Sequence, residues 1–275
     1  MMGSMQEEQK TKGHLHPLTH VIRDIETIFA ELGFSYVAGP ELETEYYNFD
    51  ALNMPSDHSS RDMQDTFWVR SECLELCKTL PDTFSSEAKK SIDKVYSTGT
   101  VKQKNEKNER LLLRTQASSV QIRTMEKLKA PLRVVVTGGR VFRNEATDAT
   151  HEAQFYQQEA LYVAKEVNLA QLKGTLSFFC KRFFGEESAE IRFRPSYFPF
   201  VEPALEVDMR YKGRWLEIAG AGLVHPNVLR NVGIDSNIWK GFAFSFGIDR
   251  LAILRYGIDD IRLFYNGDLR LVQQF

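Results

Sequence analysis

Between Pro17 and Leu32 the apolar residues Leu18, Val21, Ile22, Ile25, Ile28, Phe29 and Leu32 fall on one face at the helical period. Pro17 suits the first turn, where its missing N–H leaves nothing unpaired, and Gly33 suits the left-handed residue that closes a helix. Phe34 to Val37 then reads as a strand running towards Pro40. Gln116 to Lys129 predicts a second helix with Val120, Ile122, Met125 and Leu128 on its buried side, and Leu169, Leu172, Leu176, Phe179 and Phe183 mark a third. Strand patterns dominate elsewhere. Leu132 to Val136 is a continuous apolar run, Gly138-Gly139 is placed to kink the path to Val141, and Glu159 to Ala164 continues a hairpin. From Pro203 to Tyr211, Leu205, Val207, Met209 and Tyr211 alternate with Glu206, Asp208 and Arg210, the pattern of a strand buried on one face. Successive strands with short connections and occasional helices predict an α+β fold, an antiparallel β-sheet flanked by helices.

Two stretches fall outside this pattern. Met1-Met2-Gly3-Ser4-Met5 reads as an expression-vector scar, so residues 1–13 are expected as a disordered leader and 14–275 as the folded domain. Across about 71–110 the composition turns to Lys, Glu, Ser and Asn, which predicts a mobile, solvated insertion. Its interleaved glutamates and lysines favour a solvated face over a basic nucleic-acid loop. The chain as a whole, 43% hydrophobic and 26% charged, has ordinary globular composition. A net charge of −2 argues against a general basic footprint, while leaving a local one open. Three cysteines with no secretory segment fit a reducing cytoplasm. Cys73 and Cys77 have the wrong spacing for a zinc knuckle. No apolar run reaches membrane-spanning length. There is no Walker phosphate loop and no dinucleotide-binding glycine fingerprint, so any nucleotide must be held by other means.

Those means are suggested by three segments. In Val141-Phe142-Arg143-Asn144-Glu145 an arginine and a glutamate two residues apart share one face of an apparent strand, and after a polar loop His151, Phe155 and Glu159 recur at intervals of four. In Gly241-Phe242-Ala243-Phe244-Ser245-Phe246-Gly247 small residues at alternate places leave one strand face flat, while the phenylalanines fill the other. Gly247 then releases the chain into a helix whose first turn carries Arg250. Two such guanidinium groups over one bare sheet face would match phosphate oxygens in a fixed geometry. In the third segment, Arg194-Pro195-Ser196-Tyr197-Phe198-Pro199-Phe200-Val201-Glu202-Pro203, two aromatics flank a proline and are placed to project together.

The first two segments resemble motifs 2 and 3 of the class II aminoacyl-tRNA synthetases, and the helix, Gly33 and strand before Pro40 resemble motif 1. The third segment, with Arg114-Thr115-Gln116-Ala117-Ser118-Ser119, Val224-His225-Pro226-Asn227 and Leu254-Arg255-Tyr256-Gly257, resembles phenylalanyl-tRNA synthetase α subunits. This resemblance runs from about His16 to Phe275, broken by the charged insertion. It implies the class II catalytic fold and a ligase that joins phenylalanine to ATP, giving phenylalanyl-adenylate and pyrophosphate, and then transfers the aminoacyl group to tRNA(Phe). By the same resemblance, Arg143 and Arg250 are the catalytic pair. Arg143 holds the α-phosphate and Arg250 closes over the γ-phosphate. Glu145, His151 and Phe155 complete the ATP site. Trp68, Gln116, Ser118, Gln157, Glu159, Phe198, Phe200, Val201 and Ala243 form the phenylalanine site, in which Gln157 and Glu159 receive the ammonium. Glu202 matches the family's magnesium-binding carboxylate. The implied partner is a β subunit in a cytoplasmic (αβ)₂ heterotetramer. A long helical tRNA-contacting arm normally precedes this module, so a truncated chain is expected. Two departures stand out: relatives usually carry histidine at Gln116 and glycine at Ser245. These leave open a paralogue that activates another amino acid. A non-catalytic regulatory module is the other alternative, and it should have lost a clamp arginine.

Overall fold

The computed structural model describes residues 13–62, 65–70, 110–185 and 190–275. The expected leader up to residue 12, the expected insertion over 71–109, and Cys73 and Cys77 lie outside the described residues. In chain order the elements are α1 (Pro17–Glu31), β1 (Ser35–Val37), β2 (Leu42–Thr44), α2 (Glu45–Asn48), β3 (Leu111–Leu113), α3 (Ser118–Lys127), β4 (Leu132–Phe142), β5 (Gln154–Ala164), α4 (Leu169–Phe184), β6 (Ile191–Phe198), β7 (Val201–Tyr211), β8 (Arg214–Val224), α5 (Pro226–Asn231), β9 (Lys240–Gly247), α6 (Ile248–Tyr256) and α7 (Leu269–Val272).

α1 forms where the apolar period predicts it. Pro17 occupies its first turn, and Nδ1 of His16 accepts the Leu18 N–H at 3.2 Å, which pairs one of the amides a helix start leaves over. The chain leaves through Gly33 at φ 75°, a conformation that costs other residues a Cβ clash. Its buried face, Val21, Ile25 and Phe29, packs on the main sheet, whose strand order is β1-β4-β5-β9-β8-β7-β6. β1 runs parallel to β4, and every other neighbouring pair in this sheet is antiparallel. The kink expected at Gly138-Gly139 is a shift of register between Val136 and Gly139.

Three local expectations need correction. Leu128 is half exposed, because α3 ends at Lys127 and Leu128 leaves in an extended conformation. Asp208 is buried rather than turned to solvent: Arg192, directly across the β6–β7 ladder, and Arg194 both donate to its Oδ2, at 2.8 and 2.6 Å. β4 stops at Phe142, so Arg143 and Glu145 lie in the connection and not on the strand. A bond from Arg143 N–H to the Ala153 carbonyl at 2.9 Å keeps that connection in step with the hairpin.

The sheet has two unlike faces. Phe242, Phe244 and Phe246 point from β9 into the layer of α1, α4 and α6. There Phe29 stacks on Phe179 with centroids 5.2 Å apart, and Phe179 meets Phe246 at 4.5 Å. Each of these buried rings stabilises the fold by roughly 1.5–3 kcal/mol. The opposite face of β9 carries only Gly241, Ala243, Ser245 and Gly247. A second core, including Phe49, Leu52, Leu112, Ile122, Met125 and Leu161, holds α3 on that side and leaves the small residues uncovered along part of their length.

Candidate active site

The uncovered floor opens into a cavity of ≈ 620 Å³. β5 supplies Phe155, Gln157 and Glu159 to it, because residues two apart on a strand share a face. α3 and the segment before it supply Gln116, Ser118 and Gln121, and the β6–β7 turn supplies Phe198, Phe200 and Val201. Arg143, Glu145 and His151 come from the β4–β5 connection, and Arg250 comes from the first turn of α6.

The two arginines enter the same space, as their spacing around the flat strand requires. Arg143 is held by a bond to the Thr115 carbonyl at 3.4 Å and lies 5.0 Å from the centre of the Phe155 ring. Burial lowers its pKa. The charge of Arg250 pushes the same way, against Glu145 and Glu159. Nη1 of Arg250 donates to the Glu217 carbonyl at 3.0 Å, and the rest of this exposed guanidinium faces the cavity. His151 is pinned at the rim by Asp148, 3.0 Å from its Nδ1.

At the other end Glu159 is buried, with Ser118 Oγ donating at 3.0 Å and Gln121 Nε2 at 2.7 Å. Desolvation pushes its carboxyl up to about 7, against the pull of those bonds, of Arg114 and of Ser245. Gln157 is held by the Ala117 N–H, which donates to its Oε1 at 3.0 Å. Gln116 donates to the Asn48 carbonyl at 3.1 Å. The Phe198 and Phe200 rings lie nearly parallel, 14° apart, with centroids separated by 5.9 Å. Phe198 can approach the floor because Gly220 has no Cβ; one there would stand 3.2 Å from the ring. One end of the cavity thus offers guanidinium groups to anions. The other offers a buried carboxylate to a cation, with apolar walls beside it.

Residues 3–275 match the family described as tRNA synthetases class II core domain (F). The chain is 48% identical over 264 residues to the phenylalanine--tRNA ligase alpha subunit of Pectobacterium atrosepticum, covering 96% of this chain and 68% of the relative. It is 46% identical over 273 residues to that of Yersinia pestis strain Pestoides F, covering 99% and 71%. The chain belongs to the phenylalanine--tRNA ligase alpha-subunit family, within the class II synthetases. Pyrrolysyl-tRNA synthetase from Desulfitobacterium hafniense shares the fold, with a TM-score of 0.65 at 15% identity over 95% of this chain and 77% of that one.

Of the residues expected from the class II resemblance, Gln116, Ser118, Arg143, Glu145, His151, Phe155, Gln157, Glu159, Phe198, Phe200, Val201, Ala243 and Arg250 all line the one cavity. Trp68 and Glu202 do not. Trp68 pairs with Leu112 in an isolated bridge, packs against Phe49 and lies under the Arg110 guanidinium, 3.5 Å from ring centre to Cζ. Its ring belongs to the second core. Glu202 follows the lining residue Val201 and points away from the floor, its side chain 74% exposed and paired with His225 at 3.3 Å. Magnesium takes one or two carboxylates together with substrate phosphates. Glu202 stands outside the lining of the cavity, and among the described residues no three His, Cys, Asp or Glu side chains gather into one cluster.

Two functional candidates were not picked out from the sequence. Gln121 is placed by the helical step from Ser118, one turn along α3, and that step was a usable signal. Asp249 gave no signal beyond its place beside Arg250. Its buried Oδ2 accepts the Tyr156 N–H at 2.7 Å, and its Oδ1 accepts from the Tyr265 hydroxyl.

Proposed function

We propose that the chain activates phenylalanine with ATP and passes it to tRNA(Phe), as the catalytic core of a cytoplasmic synthetase that works with a β subunit in an (αβ)₂ assembly. The single observation that carries this reading is the polarity of the cavity. Two guanidinium groups converge at one end, and a buried carboxylate that has no ion-pair partner among the described residues stands at the other, beside paired phenyl rings. An α-amino acid lying along it places its ammonium at Gln157 and Glu159, and its ring between the Phe198–Phe200 pair and Ala243. Rings set against a bound aromatic favour it by about 0.5–1.5 kcal/mol per pair beyond buried area. Its carboxylate then meets the α-phosphate of ATP under Arg143, with Phe155 against adenine, Glu145 and His151 at the nucleotide rim, and Arg250 over the γ-phosphate.

In the first step a substrate carboxylate oxygen attacks the α-phosphorus, and the bond to the β-phosphate bridging oxygen breaks. Phenylalanyl-adenylate stays bound and pyrophosphate leaves. A ribose hydroxyl of the terminal tRNA adenosine then attacks the acyl carbon and releases AMP. No side-chain nucleophile takes part; the arginines hold two anions in line and neutralise the charge that develops. The test is pyrophosphate exchange measured with each standard amino acid, with and without the β subunit. Exchange driven by phenylalanine is expected. Exchange driven by another amino acid identifies a paralogue of different specificity, and no exchange under any condition removes the catalytic reading.

A further inference from the structure

The cavity floor is laid in rows across three strands. Glu159 on β5 faces Ser245 on β9, which faces Gly220 on β8; in the next row Leu161 faces Ala243, which faces Gly222. The Phe198 ring lies over Gly220. The first row therefore reads carboxylate, hydroxyl, bare backbone, aromatic wall. Ser245 is the polar side chain that β9 gives to this face, set between the group that takes an ammonium and the group that takes a ring.

Glu159 is surrounded by neutral side chains at close range and by two guanidinium groups that act on it from farther off. Ser118 and Gln121 bond it from α3, and Ser245 stands directly opposite it on the β5–β9 ladder, facing the same cavity. Arg114, from the segment after β3, and Arg143, from the end of the β4–β5 hairpin, act on it through charge rather than through hydrogen bonds. A carboxylate has about four lone-pair directions. Two neutral donors take two of these, and the Ser245 hydroxyl opposite is placed for a third, which leaves room for one more donor from the cavity.

We propose that Ser245 is a positioning residue for the amino-acid substrate, its hydroxyl holding the Glu159 carboxylate ionised and turned towards the cavity, where it receives the ammonium. This rests on the assignment of Glu159 to the ammonium made above. It gives the chain a site tuned from the β9 side as well as from α3. Without the hydroxyl the same carboxylate takes up a proton more readily, and the substrate competes with that proton.

The test compares Ser245→Ala, Ser245→Thr and Glu159→Gln in the assembled enzyme, by pyrophosphate exchange across pH with phenylalanine and ATP varied separately. In Ser245→Ala the acid limb of kcat/KM for phenylalanine is expected to move up by about one pH unit, the scale for losing one hydrogen bond to a charged group. KM for ATP stays put, and Ser245→Thr, which keeps a hydroxyl, returns the limb to its parental place. A parental limb in Ser245→Ala, while Glu159→Gln no longer saturates with phenylalanine, overturns the role of Ser245 and leaves the Glu159 assignment standing. Equal changes in the phenylalanine and ATP constants of Ser245→Ala also overturn it, since they mark a general disturbance of the floor. If Glu159→Gln binds phenylalanine as the parent does, the assignment beneath the proposal fails, and the proposal with it.

Discussion

Glu159 shows how a single side chain couples stability to function. Burial raises its folded-state pKa to about 7, from an ordinary 4.5. The unfolded chain therefore gives up this proton first as pH rises. The stability that the protonated carboxyl permits is complete below about pH 4.5 and drains away up to about pH 7, by roughly 3 kcal/mol over that span. Glutamine cannot ionise. Urea unfolding of Glu159→Gln and its parent, measured from pH 4 to pH 8, should show the difference moving by up to about 3 kcal/mol in the variant's favour, whatever its starting value. A difference that stays constant with pH would mean the carboxylate is not held in a dry site. Phenylalanine binding should run the opposite way, tightening as pH passes through 7 in the parent, because an ammonium partner rewards the ionised form. The buried charge is a cost to the fold that the substrate offsets.

At the scale of elements, the start of α6 is where the fold joins the two halves of the nucleotide site. The β5–β9 ladder ends at the pair Gln157–Gly247, since β9 turns there into the helix. The next amide along β5, Tyr156 N–H, is taken by the Asp249 carboxylate, which also ties in Tyr265 from the C-terminal segment. One side chain thus fixes the spacing between Phe155 on β5 and Arg250 on α6. Asp249→Ala should leave that part-buried amide without its acceptor and cost about 1 kcal/mol of stability. It should also raise KM for ATP about tenfold while changing KM for phenylalanine less; equal changes in the two would argue against a role in spacing. Much of this arrangement was legible beforehand. α1, α4, the β4–β5 hairpin and β9 declare themselves by period, and the floor residues Phe155, Gln157, Glu159, Ala243 and Ser245 follow from steps of two on β5 and β9, whereas Gln116, Ser118, Phe198, Phe200 and Val201 were legible only through the family resemblance. β6 hid because Pro195 speaks against a strand; it is tolerated on an edge, where no second neighbour needs its N–H. β8 hid because Gly220-Ala221-Gly222 has no apolar alternation, and that bareness is what admits the Phe198 ring. Trp68 and Glu202 stand outside the cavity lining for a different reason. Each sits in sequence beside groups that matter, but the path of the backbone, which local pattern does not contain, turns Trp68 into the second core and Glu202 towards His225.

On the scale of the whole molecule, the sheet brings together two cations that are far apart in sequence and repel each other in space. Arg143 arrives from the β4–β5 connection and Arg250 from the β9–α6 junction, at the same end of adjacent strands, and the charge of the second lowers the pKa of the first. Among the described residues neither forms an ion pair with a carboxylate, although Glu145 and Glu159 pull on Arg143 through charge; each is anchored to a backbone carbonyl, at Thr115 and Glu217. Carbonyl anchoring fixes direction without cancelling charge, which suits a site meant for a polyanion. Burial outweighs the pull of Glu145 and Glu159 on this guanidinium, so Arg143→Ala removes a costly buried cation from the empty protein and is expected to melt at or above the parental temperature. Catalysis should respond in the opposite sense, because the lost charge is the one aimed at the reacting phosphate. Loss of one preorganised contact of this kind costs about 10²-fold or more in rate. Phenylalanine-dependent pyrophosphate exchange by Arg143→Ala should therefore fall by at least about a hundredfold, with melting followed on the same samples. A variant that melts like its parent and still exchanges within a few-fold of it would show that the clamp across the sheet is not what activates the substrate.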